Sequence, residues 1–192
     1  PNQMLLYAAT SNAGKLREFQ LAAPAAAADG IEIAALPGFR ELPTVEETGV
    51  TFEENASIKA VHYSQFTEDL LFAEDSGLVV DALGGAPGVY SARFAGPGAT
   101  DAANNALLLE RLAGLENRTA RFACVIALAR RGEVLHTFAG FVEGRILTEL
   151  RGANGFGYDP LFRPDGCSVS YAELDDAVKN TISHRARALA KF

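Results

Sequence analysis

Only two of the 192 residues are cysteine, Cys124 and Cys167, and they lack the close spacing of a metal-binding pair. They supply neither a disulfide framework nor a zinc site. Cys124, inside the apolar run Phe122 to Leu128, reads as a core filler in a reduced, cytoplasmic protein. No apolar stretch approaches the ~20 residues of a membrane-spanning helix, so no membrane association is expected. The apolar segment Met4 to Ala9 lacks the basic leader of a signal peptide. Positive charge is also scarce. Seventeen lysines and arginines stand against 24 acids, a net charge of −7, which excludes the broad basic face that binds a nucleic acid polymer by releasing counterions. Internal repeats and linker-like stretches are absent. What is present is apolar content, 48 % of the chain, enough to bury a full core in one domain over residues 1–192 or in two small lobes. A small charged metabolite fits this balance, provided that a local basic cluster and a divalent cation offset the acids.

The hydrophobic pattern alternates between strands and helices. Met4 to Ala9 predicts a first strand, then a polar loop from Thr10 to Lys15. A helix follows from about Leu16 into the alanine tract Ala25 to Ala28, broken near Asp29-Gly30. Ile31 to Leu36 predicts a second strand ended by Pro37-Gly38, and an irregular acidic connection carries Glu41, Glu46 and Glu47. Thr51 and Glu54 have capping-box spacing and open a helix reaching Thr67. Leu70 to Ala73 and Leu78 to Leu83 predict short strands on either side of Asp75-Ser76-Gly77, before a loop from Gly84 to Gly88. Thr100 or Asp101 caps a helix whose apolar face is Leu107, Leu108 and Leu112. Thr119 to Ala129 and Glu133 to Val142 form a hairpin turning at Arg130-Arg131-Gly132, though their alternation is imperfect. A capping box at Ser170 to Glu173 opens a helix toward Val178, and Ser183 to Phe192 predicts a last helix, with a short mobile tail expected beyond it. The class is α/β, with antiparallel pairing entering a mixed sheet.

Several segments carry chemistry. Between Glu74 and Gly96 the chain places three acids, five glycines and an arginine around two short apolar runs. Acids at a strand end suit a metal site in an open α/β sheet; the alternative is a turn in which Asp75 bonds its own backbone. Thr10 to Lys15 offers hydroxyls, an amide, a glycine and an ammonium at a helix start, where backbone donors favour anions such as a triphosphate. Its spacing is not that of a Walker loop, and the alternative is an ordinary helix start with Lys15 in solvent. Among the acids Glu46, Glu47, Glu53, Glu54, Glu74 and Asp75, Glu47 and Asp75 are the better magnesium ligands, since that ion takes one or two carboxylates and keeps water or phosphate oxygens elsewhere. Glu53 reads as solvated and Glu54 as a cap. Gly155-Phe156-Gly157-Tyr158-Asp159-Pro160 sets two rings and a carboxylate in a loop open to close approach, where stacking on a base is worth about 1–3 kcal/mol; otherwise it is a tight turn with both rings in the core. Lys179, His184 and Arg185 flank a helix boundary, where cations in a first turn are disfavoured unless they serve an anion or carbonyl, or else lie on a solvated face.

Thr-Ser-Asn-Ala-Gly-Lys, Phe-Glu-Glu-Asn-Ala, the Glu74 to Gly96 stretch, Gly-Phe-Gly-Tyr-Asp-Pro and Ser-His-Arg occur in this order from Leu6 to about Leu189. In that order and spacing the chain closely resembles the inosine triphosphate pyrophosphatase family. Ser11 departs from the glycine common after the threonine. The resemblance implies an elongated mixed β-sheet flanked by helices, two lobes with a nucleotide cleft between them, and a homodimer. It implies hydrolysis of non-standard purine nucleoside triphosphates, such as those of inosine, deoxyinosine and xanthosine, to monophosphate and pyrophosphate, which cleanses the nucleotide pool. Carried over by position, Thr10, Ser11, Asn12, Ala13, Gly14 and Lys15 contact the triphosphate. Asp75 is general base and magnesium ligand, with Glu47, or Glu46 by the same count, as second acid. Ser76 and Arg93 lie near the phosphates. Phe156 stacks on the base, while Gly157, Tyr158, Asp159, Lys179, His184 and Arg185 surround it. Donors such as His184 or Arg185 at the six-position oxygen would discriminate against adenine, because an unpaired buried polar group costs about 1–3 kcal/mol.

Two rival classes remain at this stage. A Maf-type pyrophosphatase, preferring pyrimidine or modified nucleotides, would not need the Gly155 to Asp159 loop or Ser183-His184-Arg185. A non-enzymatic nucleotide sensor would keep Lys15 and Phe156 without the acids.

Overall fold

The computed structural model describes residues 4–25 and 30–192. Its strand order is β2-β1-β3-β4-β5-β6, with β1 Met4–Ala8, β2 Ile31–Ala35, β3 Leu71–Val80, β4 Thr119–Arg130, β5 Glu133–Ile146 and β6 Phe162–Pro164. Helices are α1 Ala13–Ala22, α2 Phe52–Tyr63, α3 Asp101–Leu112, α4 Asp176–Ile182 and α5 His184–Leu189. β1 lies parallel to β2, with Met4 opposite Ile31, and parallel to β3, with Tyr7 opposite Leu71. β6 runs antiparallel to β5, with Ile146 opposite Phe162. The sheet is therefore mixed and helix-flanked. Among the described residues no helix is long and apolar enough to cross a membrane.

Backbone packing divides the chain into two compact units. The first holds the residues up to Asp75, Cys124–Gly140 and Ser183–Phe192; the second holds Ser76–Ala123 and Phe141–Ile182.

In the first unit the sheet is covered on both faces. Leu6, Phe72, Cys124, Ile126 and Leu128 pack with Phe19 of α1 and with Ala188 and Leu189 of α5. Leu71, Ala73, Val125, Ala127 and Ala129 pack with Ala56, Ala60 and Tyr63 of α2. Successive strand residues point to opposite faces, so a strand covered on both must be apolar at both parities. That is why the imperfect alternation of β4 gives way to an unbroken apolar run from Cys124 to Ala129. Gly140 has a different reason to be there: a Cβ on it would lie 2.2 Å from the His184 carbonyl oxygen and 2.4 Å from the Ala188 nitrogen. Only glycine lets α5 sit directly on the strand backbone.

The second unit has its own core of Leu78, Val80, Leu108, Leu112, Phe122, Val142, Ile146, Phe162 and Tyr171. Phe122 meets Phe162 edge-on at 4.6 Å and stacks on Tyr171 at 5.5 Å. Here β5 alternates cleanly, with Val142, Gly144 and Ile146 buried between exposed Phe141, Glu143 and Arg145.

Several local expectations are corrected. The first helix starts at Ala13, not Leu16, because Asn12 caps it: its Oδ1 accepts from the Lys15 nitrogen at 3.0 Å. Most of the alanine tract, with Asp29, lies outside the described residues. Asp75-Ser76-Gly77 is no turn between two strands; β3 runs through it unbroken and ends at Val80, where a 3-10 turn, Asp81–Leu83, takes over. The Ser170 to Glu173 box opens only a 3-10 turn, and α4 begins afresh at Asp176. At α2, Thr51 caps as expected, but the Glu54 carboxylate accepts from Val50 rather than from Thr51.

Candidate active site

β3 places Glu74 and Asp75 side by side, 5 % and 7 % exposed, and the pleat sends them to opposite faces. Glu74 shares the α1 and α5 face. Its Oε1 lies 2.8 Å from Lys15 Nζ, and the Cys124 thiol donates to its Oε2 at 3.7 Å. Burial would raise its pKa, but Lys15, Arg185 and Lys59 hold the carboxyl down to about 2. Lys15 is thus tied to a buried acid, not free in solvent. Asp75 shares the α2 face with Lys59, whose Nζ donates to the Glu74 carbonyl oxygen at 2.6 Å and lies 3.1 Å from Glu47 Oε1. Burial alone would lower the Lys59 pKa, yet Glu74, Glu47 and Asp75 outweigh it and raise it. Asp75 is pushed up to about 6, first by burial and then by Glu74 and Glu47, against the pull of Lys59 and Lys15. A carboxyl near 6 can gain and lose a proton at neutral pH.

Thr10 to Ala13, with Leu36, Phe39 and Arg40, line a cavity of ≈ 360 Å³ beside the start of α1. Its polar edge is set by Thr10 Oγ1, which accepts from the Asn12 nitrogen at 3.1 Å. Arg185, expected beside a base, is 4 % exposed, and its Nη1 pairs with Glu18 Oε2 at 2.8 Å. Burial would lower its pKa, but Glu18 and Glu74 raise it, so the guanidinium stays charged. His184 is 2 % exposed. Neither these two nor Lys179 lies on a solvated helix face.

The structure brings Glu47, Lys59, Glu74, Asp75 and Lys15 into one field; Glu46 and Glu47 are both exposed, and Glu47 pairs with Lys59. Glu53, read as solvated, is exposed and accepts from Thr137 Oγ1 at 2.8 Å. Asn55 Oδ1 accepts from the Gly49 nitrogen at 2.8 Å and fixes the loop two residues after Glu47. A Cβ on Gly49 would lie 2.6 Å from Glu54 Cβ and 2.7 Å from Asn55 Oδ1. Gly49→Ala is therefore expected to lower stability by about 1–3 kcal/mol through overpacking. An unchanged urea midpoint would mean that both side chains retreat freely.

The second unit carries the aromatic loop. Lys179 Nζ lies 2.6 Å from Asp159 Oδ2, both buried, and 5.0 Å over the Phe156 ring. Asp159 Oδ2 also accepts from the Phe156 nitrogen at 3.2 Å. The two rings divide the alternatives between them. Tyr158 belongs to the core and donates to the Ser91 carbonyl oxygen at 2.6 Å, whereas Phe156 is half-buried. Ser76 is half-buried on β3, and the exposed Arg93 holds its guanidinium 5.2 Å over the Tyr90 ring.

Sequence reasoning missed Lys59, Glu18, Asn55, Asp101, Asn104 and Asn105 as site-building residues. Lys59 had a usable signal, a lysine three residues after Ala56 on a face of small apolar residues. Asn104 had one too: it is polar and buried beside leucines, accepts from the Ala95 nitrogen at 2.8 Å and donates to the Ala92 oxygen at 3.1 Å. Oxygen donors on Glu47 and Asp75 are the type magnesium takes. No larger group of acids, histidines and cysteines suited to a metal occurs among the described residues.

Residues 6–192 match the Ham1 family. The chain is 51 % identical over 190 residues to a dITP/XTP pyrophosphatase of Desulforamulus reducens, covering 98 % of this chain and 93 % of that protein. Among solved structures it resembles a Ham1 protein from Coxiella burnetii, with a TM-score of 0.84, 42 % identity, and 98 % and 96 % of the two chains covered. It also resembles the Staphylococcus aureus Ham1 protein, with a TM-score of 0.83, 37 % identity, and 96 % and 94 % covered.

Proposed function

The chain belongs to the Ham1 family, and from that premise we infer that it hydrolyses non-standard purine nucleoside triphosphates, those of deoxyinosine, inosine and xanthosine, to monophosphate and pyrophosphate. The observation that carries this reading is the buried Asp75 carboxyl beside Glu74 on β3, with Lys15 held by Glu74 and Lys59 held by Glu47. Lys15 and the backbone donors at the start of α1 take the phosphate oxygens. Asp75 accepts the proton of the water that attacks the α-phosphorus. The bond from that phosphorus to the bridging oxygen breaks, and the electron pair leaves with pyrophosphate. Lys15 offsets charge on the leaving group, held in place by Glu74.

Magnesium fits the donor set. Two carboxylates are enough, and a cation beside Asp75 would favour its ionised form, which burial opposes. Glu47 and Asp75 would hold it. When bound it supplies charge neutralisation and polarises phosphoryl oxygens.

Phe156 stacks on the purine, with Gly157, Tyr158, Asp159 and Lys179 around it. Ser76 and Arg93 serve the phosphates, and His184 and Arg185 serve the base edge, with Glu18 keeping the guanidinium charged and fixed. A cytoplasmic homodimer completes the proposal.

The test is pyrophosphate release from inosine, xanthosine, guanosine and adenosine triphosphates, with magnesium and with chelator. Release from the first two at rates at least roughly tenfold above adenosine triphosphate, lost on chelation, is expected. Preference for uridine or thymidine triphosphate would favour the Maf-type reading. Tight calorimetric binding without release would favour a sensor.

A further inference from the structure

Helix α3 reaches the aromatic loop through two side chains one turn apart. Asp101 Oδ2 accepts from the Gly157 nitrogen at 2.9 Å, and Asn105 Nδ2 donates to the Gly157 carbonyl oxygen at 3.0 Å. Residues four apart share a helix face, so a single stretch of α3 grips both polar groups of one glycine. Gly157 has φ +62, a left-handed conformation that a loop does not hold by default but that glycine permits. The helix is itself anchored at this end, since Thr100 Oγ1 accepts from the Ala103 nitrogen at 3.1 Å. On the other side, Asp159 fixes the Phe156 nitrogen. The peptides on both sides of Phe156 are therefore held by side chains, and three carboxylate or amide groups set the direction of one half-buried ring.

We propose that Asp101 and Asn105 are positioning residues for base recognition: by clamping Gly157 they pre-set the Phe156 ring to stack on the purine. The proposal rests on the assignment of Phe156 as the stacking residue. A ring already in place loses little freedom on binding, so the clamp contributes affinity that a mobile ring would forfeit. It acts on the stacking ring and not on the reacting phosphorus. Its loss should raise KM and leave kcat alone.

Steady-state kinetics with inosine triphosphate and magnesium test this on Asp101→Ala, Asp101→Asn, Asn105→Ala and Phe156→Ala, each with its melting temperature. Phe156→Ala should raise KM by roughly tenfold or more. Asp101→Ala and Asn105→Ala should raise it by roughly three- to tenfold, the effect of one lost hydrogen bond, with kcat within about twofold. Asp101→Asn keeps an acceptor for the Gly157 nitrogen and should stay near wild type. In the double variant Asp101→Ala/Phe156→Ala, KM should match that of Phe156→Ala alone, because the clamp acts only through the ring. A structural staple would instead lower melting temperature and either leave KM unmoved or change it independently of the ring. Asp101 is exposed, so its variants report even if Asn105→Ala fails to fold. Unchanged KM in Asp101→Ala beside a raised KM in Phe156→Ala overturns the clamp alone, as do independent, multiplying effects in the double variant. Unchanged KM in Phe156→Ala overturns the stacking assignment and the clamp with it.

Discussion

Asp75→Asn is expected to lower kcat for pyrophosphate release by roughly a hundred- to ten-thousandfold, the usual worth of a positioned general base. The substitution is isosteric at a strand position 7 % exposed, so the fold should survive. The same change should make the metal-free protein more stable at neutral pH. Burial, Glu74 and Glu47 raise the Asp75 carboxyl to about 6, so folding binds a proton more tightly than the unfolded chain does. The ionised carboxylate then opposes folding above that pH, by about 2–3 kcal/mol when fully expressed. The stability advantage of the variant should be full above pH 6 and shrink as pH falls toward the ordinary carboxylate range. Urea titrations of both proteins in chelator measure the gap. Near-normal turnover would remove Asp75 from the mechanism, and a variant less stable than wild type would mean that Lys59 and Lys15 compensate the charge fully.

Lys179→Met is expected to remove about 3–5 kcal/mol of stability, because it takes the ammonium away from a buried carboxylate at 2.6 Å. For a chain of this length that is a fall of roughly 6–20 °C in melting temperature. Adding Asp159→Asn should return most of the loss, since the uncompensated charge goes and the amide oxygen still accepts from the Phe156 nitrogen. Nucleotide affinity should not return with it, because the charged pair beneath the loop is gone in both. Calorimetric unfolding and inosine triphosphate binding separate the two effects. A single variant that loses less than about 1 kcal/mol would show that solvent already screens the pair.

Much of the fold was legible in the chain. The period-two pattern of β2, where Ile31 and Ile33 are buried around exposed Glu32, and the capping residues Thr51, Thr100 and Ser183 each state a local structure whose cause lies within a few residues. β3 was less legible. Asp75, Ser76 and Gly77 are turn formers by local preference, but pairing in the sheet overrides that preference and keeps the strand straight through them. β4 was ambiguous for a related reason, being apolar at both parities because helices cover both faces of the first unit.

By itself, then, the sequence determined which residue types are available and where in the chain they fall: an acidic protein with a lysine-bearing loop, a pair of adjacent acids and a glycine-rich aromatic turn. Those depend on composition and near neighbours. Only the tertiary structure decided that Lys59 joins Glu47 and Asp75, that Glu18 holds Arg185 from 167 positions away, and that α3 grips Gly157 from 52. Such pairings follow from which strands lie side by side and which helix faces they bury, and no local pattern encodes a partner that far along the chain.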